Sequence, residues 1–381
     1  MIRRKSTGKV DAVNSLIDQP ADLRPETTWA QTRWAHVGEE TLVNHTARPR
    51  LCVAALLPFA NGEPDWAGFV RCIEWMRTGA AHFGVEIVFV LNADTGYIFD
   101  LDEALYAEVL RRFREAFPGQ RFIAGVTARG AEGDSGFQAE RYHPLLDLAQ
   151  VLENCEVMLM TSRHLAALGP ERRRDAYFQI AEHVTRPALV HALEPAFVPW
   201  ATPFEPWLLR ELAGHPKFIG GKVSTLTEPH FLYWAALCRD LRADFTPHSG
   251  DDFGLSTAIR VGLPLLVGAG ASAAPLLCAA LAMWRATADG SFDTRVYKLF
   301  EAIQSFEDVI FRLDDRGSAA AYKHSTAHAL HLLGLLASPE THPRCRDRRG
   351  PDEPARIREA LERPLRMARA LAIHGFQLPP V

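Results

Sequence analysis

From Leu51 onward the chain alternates short apolar runs with turns and stretches of helical period. The runs are Leu51 to Leu57, Val85 to Leu91, Arg121 to Val126, Val157 to Thr161, Ala188 to Leu193, Phe218 to Val223, Asp244 to His248 and Pro264 to Val267. Between the first two, Trp66, Phe69, Val70, Ile73 and Met76 recur at spacings of three and four, one apolar stripe that predicts a helix from Asp65 to about Gly79. Leu105, Val109, Leu110, Phe113 and Phe117 repeat the pattern after the second run, and Ala176 to Val184 and His230 to Leu241 behave similarly. Strands alternating with helical stretches predict a parallel sheet with crossover helices. Eight such units suit a closed (β/α)8 TIM barrel of the α/β class better than an open doubly wound sheet.

Residues 1–50 carry no sustained period, although Trp29, Trp34 and Val43 are apolar, and read as an N-terminal extension packed on the barrel or on a neighbouring subunit. After the eighth run, Ala273 to Ala286 is helical and rich in alanine and leucine. Helical stretches follow at Thr294 to Leu313, Ser318 to Leu336 and Pro354 to Ile373. The segment SPETHPRCRDRRGPDEP separates the last two as an exposed connection. The organisation is thus an extension (1–50), a barrel (51–290) and a C-terminal helical appendage (291–381).

Composition adds bounds. With 381 residues, 48% hydrophobic and 23% charged, the chain can bury a large core. A formal charge of -4 gives no long-range reason to expect nucleic acid or an anionic membrane as partner, and leaves a small, even anionic, metabolite open because local basic groups decide that. The basic opening MIRRKSTGKV is not followed by an apolar signal region, and no run reaches the roughly 18 apolar residues of a membrane helix. A cytoplasmic location is the expectation. Cys52, Cys72, Cys155, Cys238, Cys278 and Cys345 are scattered without the paired spacing of a zinc ribbon or a disulfide framework, which implies reduced thiols.

Catalytic groups of a (β/α)8 barrel come from the C-terminal ends of its strands. Those ends carry Asp94, Thr95, Gly96 and Tyr97 after the second strand, Arg163 and His164 after the fourth, and His191 and Glu194 on the fifth. Lys222 and Ser224 follow on the sixth, Asp251 and Asp252 on the seventh, and Gly268 and Gly270 on the eighth. Lys222 stands inside a mostly apolar run. Burial would lower its pKa from about 10.4 and free a neutral amine that attacks a ketone to form an iminium, an electron sink. The alternative is a lysine paired with an interior carboxylate such as Asp94 or Asp251. Two further readings stay open: a metal-dependent barrel drawing on His164, His191, Glu194, His248, Asp251 and Asp252, and a non-catalytic barrel that binds a metabolite. Arg172, Arg173 and Arg174 read as a solvated helix start, and Phe197, Trp200, Phe204 and Trp207 as cover for the barrel rim or a subunit contact.

HPKFIGGKVST resembles the sixth strand of the dihydrodipicolinate synthase and N-acetylneuraminate lyase family, whose lysine forms the Schiff base. AALLPFANGEPDWAGFVRCIEWM is similar to that family's first strand and helix, VLNADTGYIFDLDEALYAEVL to its second strand and substrate loop, and PHSGDD to its seventh-strand ending. The LLGLL stretch is similar to its C-terminal helices. Together these cover Leu51 to Leu336 in consistent order. The resemblance implies a dimeric or tetrameric class I aldolase-like lyase, an aldolase or hydro-lyase acting on a 2-oxo acid. In it Lys222 is the nucleophile and Thr95 with the Gly96 backbone holds the substrate carboxylate. Ser224, Asp251 and Asp252 line the mouth, and no metal or organic cofactor is needed.

The chain departs from the family at three places. Asp94 replaces the first of two adjacent threonines, putting a negative charge where a carboxylate would bind. Tyr97 stands where glutamate is usual. The fourth strand ends in MTSRHLAAL, without the family's proton-shuttling tyrosine. His164, His191 and Tyr97 are then the candidate acid/base groups, and Arg163 the candidate anion anchor.

Overall fold

The computed structural model describes residues 50–129, 136–224, 244–268, 270–286 and 294–373, with the isolated positions 234, 236, 242, 376 and 378. The N-terminal extension, apart from Arg50, and most of the helix predicted from His230 to Leu241 lie outside the described residues, as does Cys238.

Eight parallel strands close a barrel. They are β1 (Leu51–Ala54), β2 (Ile87–Leu91), β3 (Phe122–Val126), β4 (Cys155–Leu159), β5 (Ala188–Leu193), β6 (Phe218–Ser224), β7 (Thr246–Ser249) and β8 (Leu265–Val267). Each pairs with its sequence neighbours, and β1 closes the ring by pairing with both β8 and β2. The strands are buried almost throughout, which accounts for apolar runs in place of a two-residue alternation. The fourth strand begins two residues earlier than predicted, at Cys155 in place of Val157. The predicted first strand stops at Ala54, one residue past Val53, the last to pair with β8; Ala55 still donates to the Val90 carbonyl of β2 at 2.9 Å, and Ala55 to Leu57 stay buried.

The helices are α1 (Trp66–Phe83), α2 (Glu103–Ala116), α3 (His143–Gln150), the single turn α4 (Arg163–Ala166), α5 (Pro170–His183), α6 (Pro206–Gly214), α7 (Leu255–Arg260), α8 (Gly270–Ala286), α9 (Thr294–Ile310), α10 (Tyr322–Leu332) and α11 (Glu353–Ala370). Asp65 caps α1 by accepting from the Gly68 N–H at 2.7 Å, and Asp102 caps α2 by accepting from the Leu105 N–H at 2.8 Å. Phe69, Cys72, Ile73, Met76 and Ala80 form the buried stripe of α1. Against that stripe lies α8: a Cβ at Gly79 would stand 3.0 Å from Pro275, so glycine permits the close crossing.

Beyond α8 the C-terminal helices do not hang from the barrel. α9 passes over the β7 and β8 ends, where Gln304 donates to the Asp252 carbonyl at 2.8 Å. The turn before α10 bonds to the β5 loop, Ala319 N–H to Ala196 C=O at 2.7 Å. Past α10, the segment around Glu340 bridges to Phe59 in the short hairpin after β1, and α11 packs on α9 and α10. No described helix is long and apolar enough to cross a membrane. No disulfide is present among the described residues.

Candidate active site

β6 carries Lys222 near its C-terminal end, in register with His191 on β5 and His248 on β7. Only 7% of Lys222 is exposed. Burial pulls the pKa of its amine below the usual lysine value, a shift opposed by the fields of Asp252 and Asp94. Among the described residues no carboxylate reaches ion-pair distance of it. Space for the side chain depends on Gly250, where a Cβ would meet Lys222 Cε at 2.5 Å and Ser224 Oγ at 2.9 Å.

Asp94 is committed elsewhere. Its Oδ1 accepts from Lys323 Nζ at 2.9 Å and its Oδ2 from the Tyr322 hydroxyl at 2.9 Å, all three side chains being buried. Burial works against the Lys323 ammonium, but the adjacent carboxylate outweighs it and holds its pKa above the ordinary lysine value. The Tyr322 oxygen also lies 3.0 Å from Thr95 Oγ1. A phenol has one proton, and Tyr322 gives it to Asp94, so Thr95 is the donor in its bond to Tyr322. The result is a directed chain, Thr95 to Tyr322 to Asp94, with Lys323 donating to the same carboxylate from its other side. Burial, reinforced by Asp94, keeps the Tyr322 phenol well above its usual pKa. Its ring stacks on Phe311 at 4.7 Å between centroids and meets Phe197 edge-on at 6.0 Å. Gly268 leaves room for this packing, since a Cβ there would lie 3.0 Å from Phe311 and 3.4 Å from Thr95 Oγ1.

His191 is fully buried. Its Nδ1 lies 3.1 Å from Met160 Sδ and its Nε2 2.9 Å from Ser224 Oγ. A thioether only accepts, so Nδ1 carries the proton and Nε2 accepts from the serine. Burial and the nearby Lys222 push the imidazole pKa well below its usual value, so the ring is neutral with both nitrogens engaged. His248 turns toward Arg50, whose Nη2 lies 3.1 Å from its Nε2, and its pKa is lowered by burial and Arg50 to about 3. Asp251 accepts from the Phe253 N–H at 2.9 Å and so shapes the turn into α7, whereas Asp252 lies where its charge reaches Lys222. The Gly96 backbone is crowded: a Cβ would meet Asn92 N at 3.1 Å.

Beside this cluster opens a cavity of about 680 Å³. That volume falls in the range of small-molecule sites, roughly 300–1,000 Å³. Its wall includes Arg129, Arg141, Arg163 and His164 together with Asp94, Lys323 and Tyr97. The guanidinium of Arg163 lies 5.7 Å from the Trp200 ring, and the Tyr97 ring packs edge-on against Phe59 at 5.9 Å and beside His342 at 5.6 Å. Lys222 is not part of this wall; Asp94 joins the two regions, lining the cavity and placing its field on the buried amine.

The structure therefore brings Lys222, Ser224, His191, Asp252, Asp94 and Thr95 together in the barrel mouth, and sets Tyr97, Arg163 and His164 around the cavity. Sequence reasoning missed Tyr322 and Lys323. The available signal was a lysine and a tyrosine opening the alanine-rich stretch AAAYKHSTAHAL, the same lone lysine in an apolar setting that marked Lys222. It also missed Glu307 on α9, which is fully buried; neither carboxyl oxygen has a hydrogen-bond partner among the described residues. Among those residues no set of three histidine, cysteine or acidic side chains stands together as a metal site.

No protein-family model matches the chain, and no curated protein matches it in sequence. Its fold is similar to that of solved dihydrodipicolinate synthases. A monomeric variant of that enzyme superposes with a TM-score of 0.67 at 16% identity, covering 84% of this chain and 97% of the other. The enzyme from Bacteroides thetaiotaomicron gives 0.67 at 18% identity, with 83% and 99% covered. The chloride-inhibited enzyme from Acinetobacter baumannii, complexed with pyruvate, gives 0.66 at 19% identity, with 83% and 99% covered. The chain thus has the closed barrel with C-terminal helices of these enzymes, as its sequence resemblance implied.

Proposed function

We propose that the chain is a Schiff-base-forming lyase, an aldolase or hydro-lyase, acting on a 2-oxo acid or related carbonyl compound through Lys222. One observation carries the reading: Lys222 is buried at the mouth end of β6 without an ion-pair partner among the described residues, while Lys323 occupies the Asp94 carboxylate that would otherwise neutralise it. A buried amine whose pKa is lowered gives up its proton more readily than a free lysine, and imine formation requires the neutral amine as nucleophile. The same arrangement answers the objection raised by Asp94. With Lys323 ion-paired to it, a substrate carboxylate held by the backbone N–H groups at Thr95 and Gly96 meets a charge already compensated.

Arg163, Arg129 and Arg141, which line the same cavity, favour a second anionic group on the substrate or its partner, held at the cavity wall. The fold and the cavity suit a small molecule. A dimer or tetramer is the expectation from family likeness.

Intact mass spectrometry after borohydride reduction, with a panel of 2-oxo acids and with Lys222→Ala as control, tests the reading. A mass gain that depends on the oxo acid and disappears in the variant is the expected result. A panel that leaves the wild type unmodified overturns it and favours the metabolite-binding alternative.

A further inference from the structure

We propose that Tyr322, carried by the C-terminal appendage, is the proton-transfer residue of this site, passing a proton between Thr95 at the reacting centre and Asp94 at the cavity. The inference rests on the Schiff-base reading of Lys222.

The geometry defines the path. Thr95 Oγ1 and Tyr322 Oη are 3.0 Å apart, Tyr322 Oη and Asp94 Oδ2 2.9 Å, and Asp94 Oδ1 and Lys323 Nζ 2.9 Å. All four groups are buried, so water does not short-circuit the chain, and only Asp94 and Lys323 reach the cavity wall. At rest each hydroxyl donates outward, which leaves the Thr95 oxygen able to accept a proton from the reacting centre. The barrel's other candidates lack such a chain. Both His191 nitrogens are engaged, and His164 stands half-exposed on the cavity wall, with no side-chain hydrogen bond among the described residues. Tyr97 packs against Phe59 and His342, and its hydroxyl has no hydrogen-bond partner among the described residues to pass a proton on to.

The step balances without any charged hydroxyl. In the iminium formed on Lys222, the C3–H bond of the oxo acid breaks. Its electron pair becomes the C2–C3 double bond, and the C–N π pair moves onto nitrogen. The proton passes to Thr95, Thr95's own proton to Tyr322, and Tyr322's to Asp94, where Lys323 remains hydrogen-bonded. Reversal of the same shifts returns one proton to the enamine carbon. A phenol whose pKa burial has raised suits this role, because it exchanges one proton for another and never has to ionise.

The test reads two events on one protein. Borohydride-trapped adduct with pyruvate or 2-oxobutyrate reports imine formation, and NMR in D2O reports exchange of the C3 protons. Wild type is expected to do both. Tyr322→Phe keeps the ring that stacks on Phe311 and is expected to retain the adduct while exchange slows by at least about 100-fold, the lower end of what a positioned acid/base group contributes. Asp94→Asn, similar in shape, is expected to show the same split, and circular dichroism checks that each variant is folded. Exchange at the wild-type rate in a folded Tyr322→Phe overturns the proposal; if that variant does not fold, wild-type exchange in Asp94→Asn does so. A wild-type adduct without exchange overturns it as well. Failure of the wild type to form any adduct is a different result, which overturns the Schiff-base reading on which this one rests.

Discussion

Lys222 is a lysine in a place that opposes its charge, and that opposition can be measured without a substrate. Its pKa in the folded protein lies below the ordinary 10.5, chiefly through burial. Between the folded value and 10.5, the unfolded chain therefore binds a proton that the folded protein lacks. Stability tied to this group is complete above 10.5 and is lost as pH falls through the window to the folded pKa. Lys222→Met removes the penalty while filling the same space. The variant is expected to melt above wild type at neutral pH, with the gap closing as pH approaches 10.5, a trade of stability for function common at active sites. Thermal denaturation across a pH series measures it; a wild type that is the more stable at pH 7 would show that the lysine is a structural group.

At the scale of elements, the β7 turn decides how precisely β6 presents its amine. Gly250 follows β7, and a methyl group there would lie 2.5 Å from Lys222 Cε and 2.9 Å from the Val223 carbonyl. The lysine can swing aside, but the carbonyl cannot. Gly250→Ala is expected to lower stability by about 1–3 kcal/mol, as overpacking does, and to suppress borohydride trapping more strongly than that loss explains. Full trapping in a folded variant would mean that the amine tolerates displacement.

The strands were legible for the same reason the site was only half so. A strand inside a closed barrel is apolar along its length, so β1 to β8 stood out as runs, and barrel topology then assigned each strand end to one mouth. Boundaries such as Cys155 were missed because pairing extends to wherever a neighbour continues, which no single segment records. The short helices α3, α6 and α7 span too few turns to establish a period. Tyr322 and Lys323 were hidden for a stronger reason: helical spacing tells which face is buried but not against what, and Tyr322 meets Thr95 across 227 residues of sequence.

Across the whole molecule, the division into barrel and appendage that the sequence suggests meets a web of contacts that crosses it. Lys323 pairs with Asp94, Arg71 of α1 donates to the Leu335 carbonyl at 3.0 Å, and the Gly62 N–H donates to Glu340 at 3.0 Å. Trp75 stacks on Phe376 at 6.2 Å. A segment that contributes buried polar partners to the barrel mouth cannot leave without exposing them, which argues for one cooperative unit. Lys323→Met tests this because it strikes the seam. Removing one partner of a buried ion pair costs about 3–5 kcal/mol, since the remaining charge is left uncompensated. If barrel and appendage fold together, calorimetry is expected to show a single transition moved to lower temperature, with the unfolding free energy reduced by that amount. An early transition split from an unchanged main one would show instead that the appendage melts off a self-sufficient barrel, and that the polar chain over the mouth is assembled only when the appendage docks.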